Sequence, residues 1–131
     1  MRTIGLDYGK KRVGMAVSDE EKKLAFPKKT IINTGRKNLL REIAKTVSEE
    51  NIAEMVIGLP VTFSGKDSTQ TKDVKDFIED LRNFFDIPIH AENEIFTSKL
   101  AEENSPLKTA DSSAAALILQ SYLDKTAIIN K

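Results

Sequence analysis

The sequence predicts an α/β protein: a mixed five-stranded sheet, strand order 3-2-1-4-5, with helices on both faces. Three observations carry this. Near the start, Ile4 and Leu6 alternate with Gly5 and Asp7, and Val13, Met15 and Val17 alternate with Gly14, Ala16 and Ser18, the period of two that a strand imposes on buried residues. A stretch with helical spacing is followed by AEMVIGL, a nearly continuous apolar run of the kind found in strands buried on both faces. The order of elements along the chain is three strands, helix, strand, helix, strand and two more helices, so a meander leads into right-handed crossovers with the first strand at the centre.

The two alternating runs form a hairpin whose turn is Tyr8-Gly9-Lys10-Lys11-Arg12. Gly9 is expected to supply a positive φ there. Asp19 to Lys23 is a charged turn, and Leu24 to Asn33 is a third strand containing Pro27, which lacks a ladder donor and belongs on a sheet edge. From Asn38 to Glu50, Leu39, Leu40, Ile43 and Val47 make an amphipathic helix. Ala53 to Leu59 is the fourth strand, ended by Gly58 and Pro60. Val74, Phe77, Ile78, Leu81, Phe84 and Phe85 stripe a second helix over Asp67 to Phe85. IPIHAEN follows Pro88 as the last strand. Thr97 or Ser98 caps a short helix, Asn104-Ser105-Pro106 breaks it, and a final helix runs from about Asp111 to Lys125. Its Ala114 to Ala116 segment is expected to rest on the small face made by Gly5, Gly14 and Ala16.

At 131 residues the chain fits one domain spanning 1–131, with no repeat or linker. Twenty Lys and Arg balance twenty Asp and Glu, so any nucleic-acid binding must come from a local patch. The absence of cysteine excludes disulfides and thiolate chemistry and fits a reducing cytoplasm. No run reaches the roughly 20 apolar residues that span a bilayer, so no membrane association is expected.

The topology brings three acids toward one sheet edge: Asp7 after the first strand, Glu94 after the fifth, and Asp111 opening the last helix. Clustered carboxylates repel unless they share a hard cation such as Mg2+ or Mn2+. Two such ions can hydrolyse a phosphodiester without a nucleophilic side chain. Spacing alone leaves a second reading open, with Asp111 favouring a helix N-terminus, Asp7 capping its turn and Glu94 solvated. Gly9, Lys10, Lys11 and Arg12 beside Asp7 suit substrate phosphates. Lys66, Lys99 and Lys108 read as ordinary surface lysines, and His90 as a structural or exposed strand residue.

IGLDYGKKRVGMAVSD, VIGLP, ENEIFTSKLAE and TADSSAAALILQSYLD, in that order, resemble the pre-16S ribosomal RNA nuclease family, the YqgF-type, Holliday-junction-resolvase-like proteins. The resemblance covers nearly the whole chain. It implies a ribonuclease-H-like fold, a cytoplasmic protein, a divalent metal, and a nuclease maturing the 5′ end of 16S ribosomal RNA. It also implies that Asp7, Glu94 and Asp111 are the metal-binding, catalytic acids. Where the family has an aspartate and an arginine flanking the glutamate, this chain has Asn93 and Ile95, and an isoleucine cannot replace a guanidinium fork. Ser64 stands where the family often has an aspartate.

Three readings follow. One is a nuclease acting on structured RNA or, as a dimer, on branched DNA. Another is a non-cleaving module that docks RNA or a ribosomal or transcription protein, which Asn93 and Ile95 favour. The third takes LDYGKKRVG as the phosphate-binding hairpin of a sugar kinase or actin-like ATPase, proteins that bind nucleotide between two such domains where this chain has room for one.

Overall fold

The computed structural model describes residues 1–61, 69–95 and 112–129. The elements are β1 (Arg2–Tyr8), β2 (Arg12–Ser18), β3 (Ala25–Ile32), α1 (Arg36–Glu49), β4 (Ile52–Val61), α2 (Thr69–Phe84), β5 (Ile89–Ile95) and α3 (Ser112–Ile129). The sheet order is β3-β2-β1-β4-β5, as the sequence predicts. β2 is antiparallel to β1 and β3, while β1, β4 and β5 are mutually parallel. The short helix expected after Thr97 lies outside the described residues.

Pro27 sits on edge strand β3 and comes with a register shift. Met15 pairs with Lys29 but Ala16 pairs with Pro27, so Lys28 is the extra residue of a bulge where the proline has no N–H to give.

Each sheet face buries a different stripe. Ile4, Leu6, Val13, Met15, Met55 and Ile57 meet Leu39 and Ile43 of α1 and Val74, Phe77 and Leu81 of α2. On the other face Ala16 and Val56 meet Ala115, Ile118, Leu119 and Leu123 of α3. Burying each large side chain contributes about 1.5–3 kcal/mol. The second layer is thin because the sheet residues under α3 are small. A Cβ on Gly5 would lie 2.7 Å from the Leu119 Cβ and 3.0 Å from the Ala115 carbonyl oxygen. The expected seat for the alanine segment is thus occupied at Gly5 by Ala115 and, one turn on, by Leu119.

Ionic contacts gather at the amino-terminal edge of the parallel strands. Glu54 accepts from Thr3 Oγ1 at 2.9 Å, Lys22 Nζ at 3.2 Å and the Tyr122 hydroxyl at 3.2 Å. His90 Nε2 lies 3.4 Å from the same carboxylate, and its ring stacks on Tyr122 with centroids 5.3 Å apart. Burial raises the Glu54 pKa, but the bonds from Thr3, Lys22 and Tyr122 outweigh it and hold the carboxyl below its usual 4.5. Burial, with the Glu54 charge, pushes the Tyr122 phenol up to about 12. This cluster joins β1, the β2–β3 turn, β4, β5 and α3.

Gly5→Ala should cost about 1–3 kcal/mol in urea unfolding, because the added carbon meets main chain and a Cβ, neither of which yields cheaply. Gly58→Ala should cost less, since its nearest contact, at 2.6 Å, is the terminal Cδ1 of the Ile118 side chain and not main chain. A carboxylate with a depressed folded pKa stabilises the fold above its unfolded pKa and loses that contribution as pH falls through the folded one. Glu54→Gln should therefore destabilise at pH 7 by about 1–3 kcal/mol, and the gap to the native chain should shrink below pH 4.5.

Candidate active site

Asp7 lies one residue from the end of β1, half-buried, and is cross-strand partner to Gly14. Gly14 pairs in turn with Thr30. On the other side, Asp7 stands one step beyond the Leu6–Ile57 pair, at the level of Gly58, which pairs with Glu92. The row across the sheet is thus Thr30, Gly14, Asp7, Gly58, Glu92, with glycine on both sides of the central carboxylate.

Residue 94 pairs with Pro60 at the same edge, two residues beyond that row. Two strand spacings and one pleat separate its Cα from that of Asp7 by on the order of 12 Å. Glu92, which sequence reading passed over, shares the row of Asp7. It is buried and accepts from Lys125 Nζ and, at 3.5 Å, from Ser121 Oγ, so its charge is committed to α3. In IHAENEI both acids fall on the same strand parity, and periodicity does not tell a structural acid from a candidate ligand.

Asp111 lies outside the described residues. Its neighbour Ser112, the first residue of α3, donates its backbone N–H to Thr30 Oγ1 at 3.1 Å. The start of α3 is thereby held over the row that contains Asp7. The three proposed acids are hard oxygen donors, the chemistry that suits Mg2+ or Mn2+. Of the three, the Asp7 side chain is the one described, and among the described residues no group of three or more His, Asp or Glu is placed to hold a metal.

Gly9, Lys10 and Lys11 form the turn after β1, and Arg12 begins β2. Lys10, Lys11 and Arg12 are exposed. Gly9 does not take the expected positive φ; among the described residues that conformation belongs to Gly35, Lys22 and Asn51. The turn is closed from outside instead. Asn33 donates its backbone N–H to the Lys11 carbonyl at 2.8 Å and its side-chain amide to the Gly9 carbonyl at 3.3 Å. The same side chain accepts from Gly35 N at 3.2 Å, and Gly35, at φ 130°, caps α1. One asparagine thus ties the cationic turn to the start of α1.

The first turn of α1 carries Arg36 and Lys37 and no acid, against the preference of a helix N-terminus for negative charge. Arg36 is ion-paired with Asp80, and its guanidinium lies 5.0 Å from the Phe77 ring centroid and 5.8 Å from that of Tyr8. Lys37 is exposed. Neither residue carries a sequence signal for this placement, because the Asn33 tie is long-range. His90 is half-exposed at the opposite edge of the sheet.

A family model described as "RuvX: Holliday junction resolvase" matches residues 1–125. The chain belongs to the RuvX family. It is 34% identical over 132 residues to a protein of Maridesulfovibrio salexigens, with 94% of this chain and 98% of that one covered. It is 37% identical over 139 residues to one of Sulfurihydrogenibium, covering 99% and 94%. Both relatives carry the name "Putative pre-16S rRNA nuclease". In fold, this RuvX chain is similar to Thermus thermophilus RuvC, with a TM-score of 0.62, 11% identity, and 97% and 96% of the two chains covered. It is also similar to the fowlpox virus Holliday junction resolvase, with a TM-score of 0.52, 13% identity, and 96% and 99% covered. Among the described residues no helix is long and apolar enough to cross a membrane.

Asn33→Ala should remove one side-chain bond to the turn and one to the α1 cap, costing about 1 kcal/mol or somewhat more. Amide exchange at residues 10–12 should accelerate more than exchange in the β4 core.

Proposed function

We propose that this chain is a metal-dependent endonuclease that hydrolyses phosphodiesters of structured RNA in maturing the 5′ end of pre-16S ribosomal RNA. The observation that carries the reading is Asp7: a half-buried carboxylate central in the sheet, flanked by glycines, next to a turn of exposed cations. The names of the relatives at 34% and 37% identity support RNA as the polymer.

In this reading Asp7, Glu94 and Asp111 hold Mg2+ or Mn2+. Bound there, such an ion would polarise a phosphoryl oxygen and make a water more acidic. Lys10, Lys11 and Arg12, with Lys37 behind them, draw the phosphate backbone to the sheet edge and hold it over Asp7. Of the two glycines beside Asp7, Gly58 is covered by the Ile118 side chain, so in this reading the approach lies along the β1–β2 turn. Asn93, exposed on β5, and Ile95 stand where the motif this sequence resembles has an acid and a guanidinium, a departure that favours a slow enzyme or a binder.

The test is cleavage of a labelled 16S precursor and of a four-way DNA junction, with and without Mg2+ or Mn2+. Metal-dependent cleavage of the RNA is expected, and Asp7→Asn should lose the several kcal/mol such an ion contributes, about 10³-fold in rate. Cleavage of the junction alone would move the substrate to branched DNA. Retained RNA binding with no cleavage of either would make this a docking module. Lys10→Ala and Lys11→Ala should each flatten the slope of log affinity against log salt by about 0.7–0.9.

A further inference from the structure

We propose that a cleft beside the β1–β2 turn is a nucleobase site, shaped for an unstacked guanine adjoining the phosphate held at Asp7. The placement rests on the reading of Asp7 as the reacting centre, but the chemistry of the cleft stands on its own residues.

The cleft holds about 330 Å³ and is lined by Tyr8, Gly9, Lys10, Gln70, Asp73 and Val74. That is the low end of the roughly 300–1,000 Å³ usual for small-molecule sites, room for one base and part of its sugar. Val74, 1% exposed, belongs to the core and gives the cleft an apolar floor. The Tyr8 ring is held by Phe77, with centroids 4.5 Å apart, and by the Arg36 guanidinium, whose Nη2 lies 3.5 Å from the Tyr8 hydroxyl. A fixed aromatic ring, an apolar floor and a few polar side chains make up the environment in which proteins read unstacked bases.

Charge decides the kind of occupant. The Asp73 carboxylate opposes a phosphate inside the cleft, whereas Lys10 offers one a place next to it. A carboxylate is acceptor-only, with two oxygens. Guanine presents two adjacent donors to it, N1–H and the exocyclic amine. Uracil presents one N–H between two carbonyl oxygens, which a carboxylate repels.

Successive strand residues point to opposite sheet faces, so Asp7 lies on the α3 side and Tyr8 on the side of α1 and α2. A strand crossing the sheet edge at Asp7 therefore brings its neighbouring nucleotide to the cleft. A duplex cannot offer a splayed base there without unpairing, so the site selects a single-stranded flank.

The test is a titration of the ¹⁵N-labelled protein with GMP, UMP and inorganic phosphate, without divalent metal, followed by amide chemical shifts. GMP should shift Gly9, Gln70 and Val74 saturably, and UMP should bind about 5-fold or more weakly, the smaller end of what a bidentate pair discriminates. Asp73→Asn should bring the two within about 2-fold of each other while leaving the unfolding midpoint in place. Shifts confined to residues 10–12 and equal for all three ligands would mean a phosphate site only and would overturn the proposal. A GMP preference unmoved by Asp73→Asn would overturn it as well. Because neither metal nor cleavage is involved, an inactive protein that still prefers GMP would sink the nuclease reading alone, and an active one whose cleft ignores GMP would sink this site alone.

Discussion

A side chain that is not there, at Gly5, sets the distance between α3 and the sheet. The Leu119 Cβ and the Ala115 carbonyl occupy the space a Cβ on Gly5 would need, so the helix lies against the centre of β1. From that contact the bond from Ser112 N to Thr30 follows, and with it the position of the helix start over the row of Asp7. A larger residue at position 5 would lift the helix and draw Ser112 away from Thr30. The site geometry is in this sense a packing consequence: two small-residue strands and one helix whose buried stripe is Ala115, Ile118, Leu119 and Leu123.

The charge distribution follows the same axis. The chain has as many acids as bases, yet the two ends of the parallel strands differ. At the amino-terminal edge Glu50 takes Lys28 at 3.0 Å and Arg2 at 2.8 Å, and Glu54 takes Lys22. Lys28 and Arg2 hold the Glu50 carboxyl below its ordinary value. At the carboxyl edge Lys10, Lys11 and Arg12 are exposed in and beside the turn that follows Asp7. Among the described residues a chain with balanced charge thereby exposes a run of three cations beside Asp7, whose field is local and salt-sensitive.

Much of this was legible in the sequence. Period-two alternation gave the hairpin, the apolar run Ala53 to Leu59 gave β4, and chirality of crossovers gave the strand order, because each signal is local or topological. Long-range ties were not legible. Nothing in IHAENEI says that Glu92 is committed to Lys125, and nothing in Asn33 says that it closes a turn more than twenty residues away. The positive φ expected of Gly9 failed for the same reason: support from Asn33 removes the need for a left-handed residue there, and the glycine lines a cleft instead. The register of Glu94, two residues beyond the row of Asp7, depends on pairings with β4 that no single strand encodes.

In the proposed reading, Asp7, the end of β5 and the start of α3 share a divalent ion at the sheet edge. Paramagnetic broadening of amide signals by Mn2+ tests it most directly, since broadening falls off steeply with distance from the ion. The expected result is early loss of the signals of Asp7, Gly14, Ser112 and residue 94 together, and its disappearance in Asp7→Asn. Broadening centred on Glu54 or scattered over surface carboxylates, unchanged by Asp7→Asn, would contradict the account.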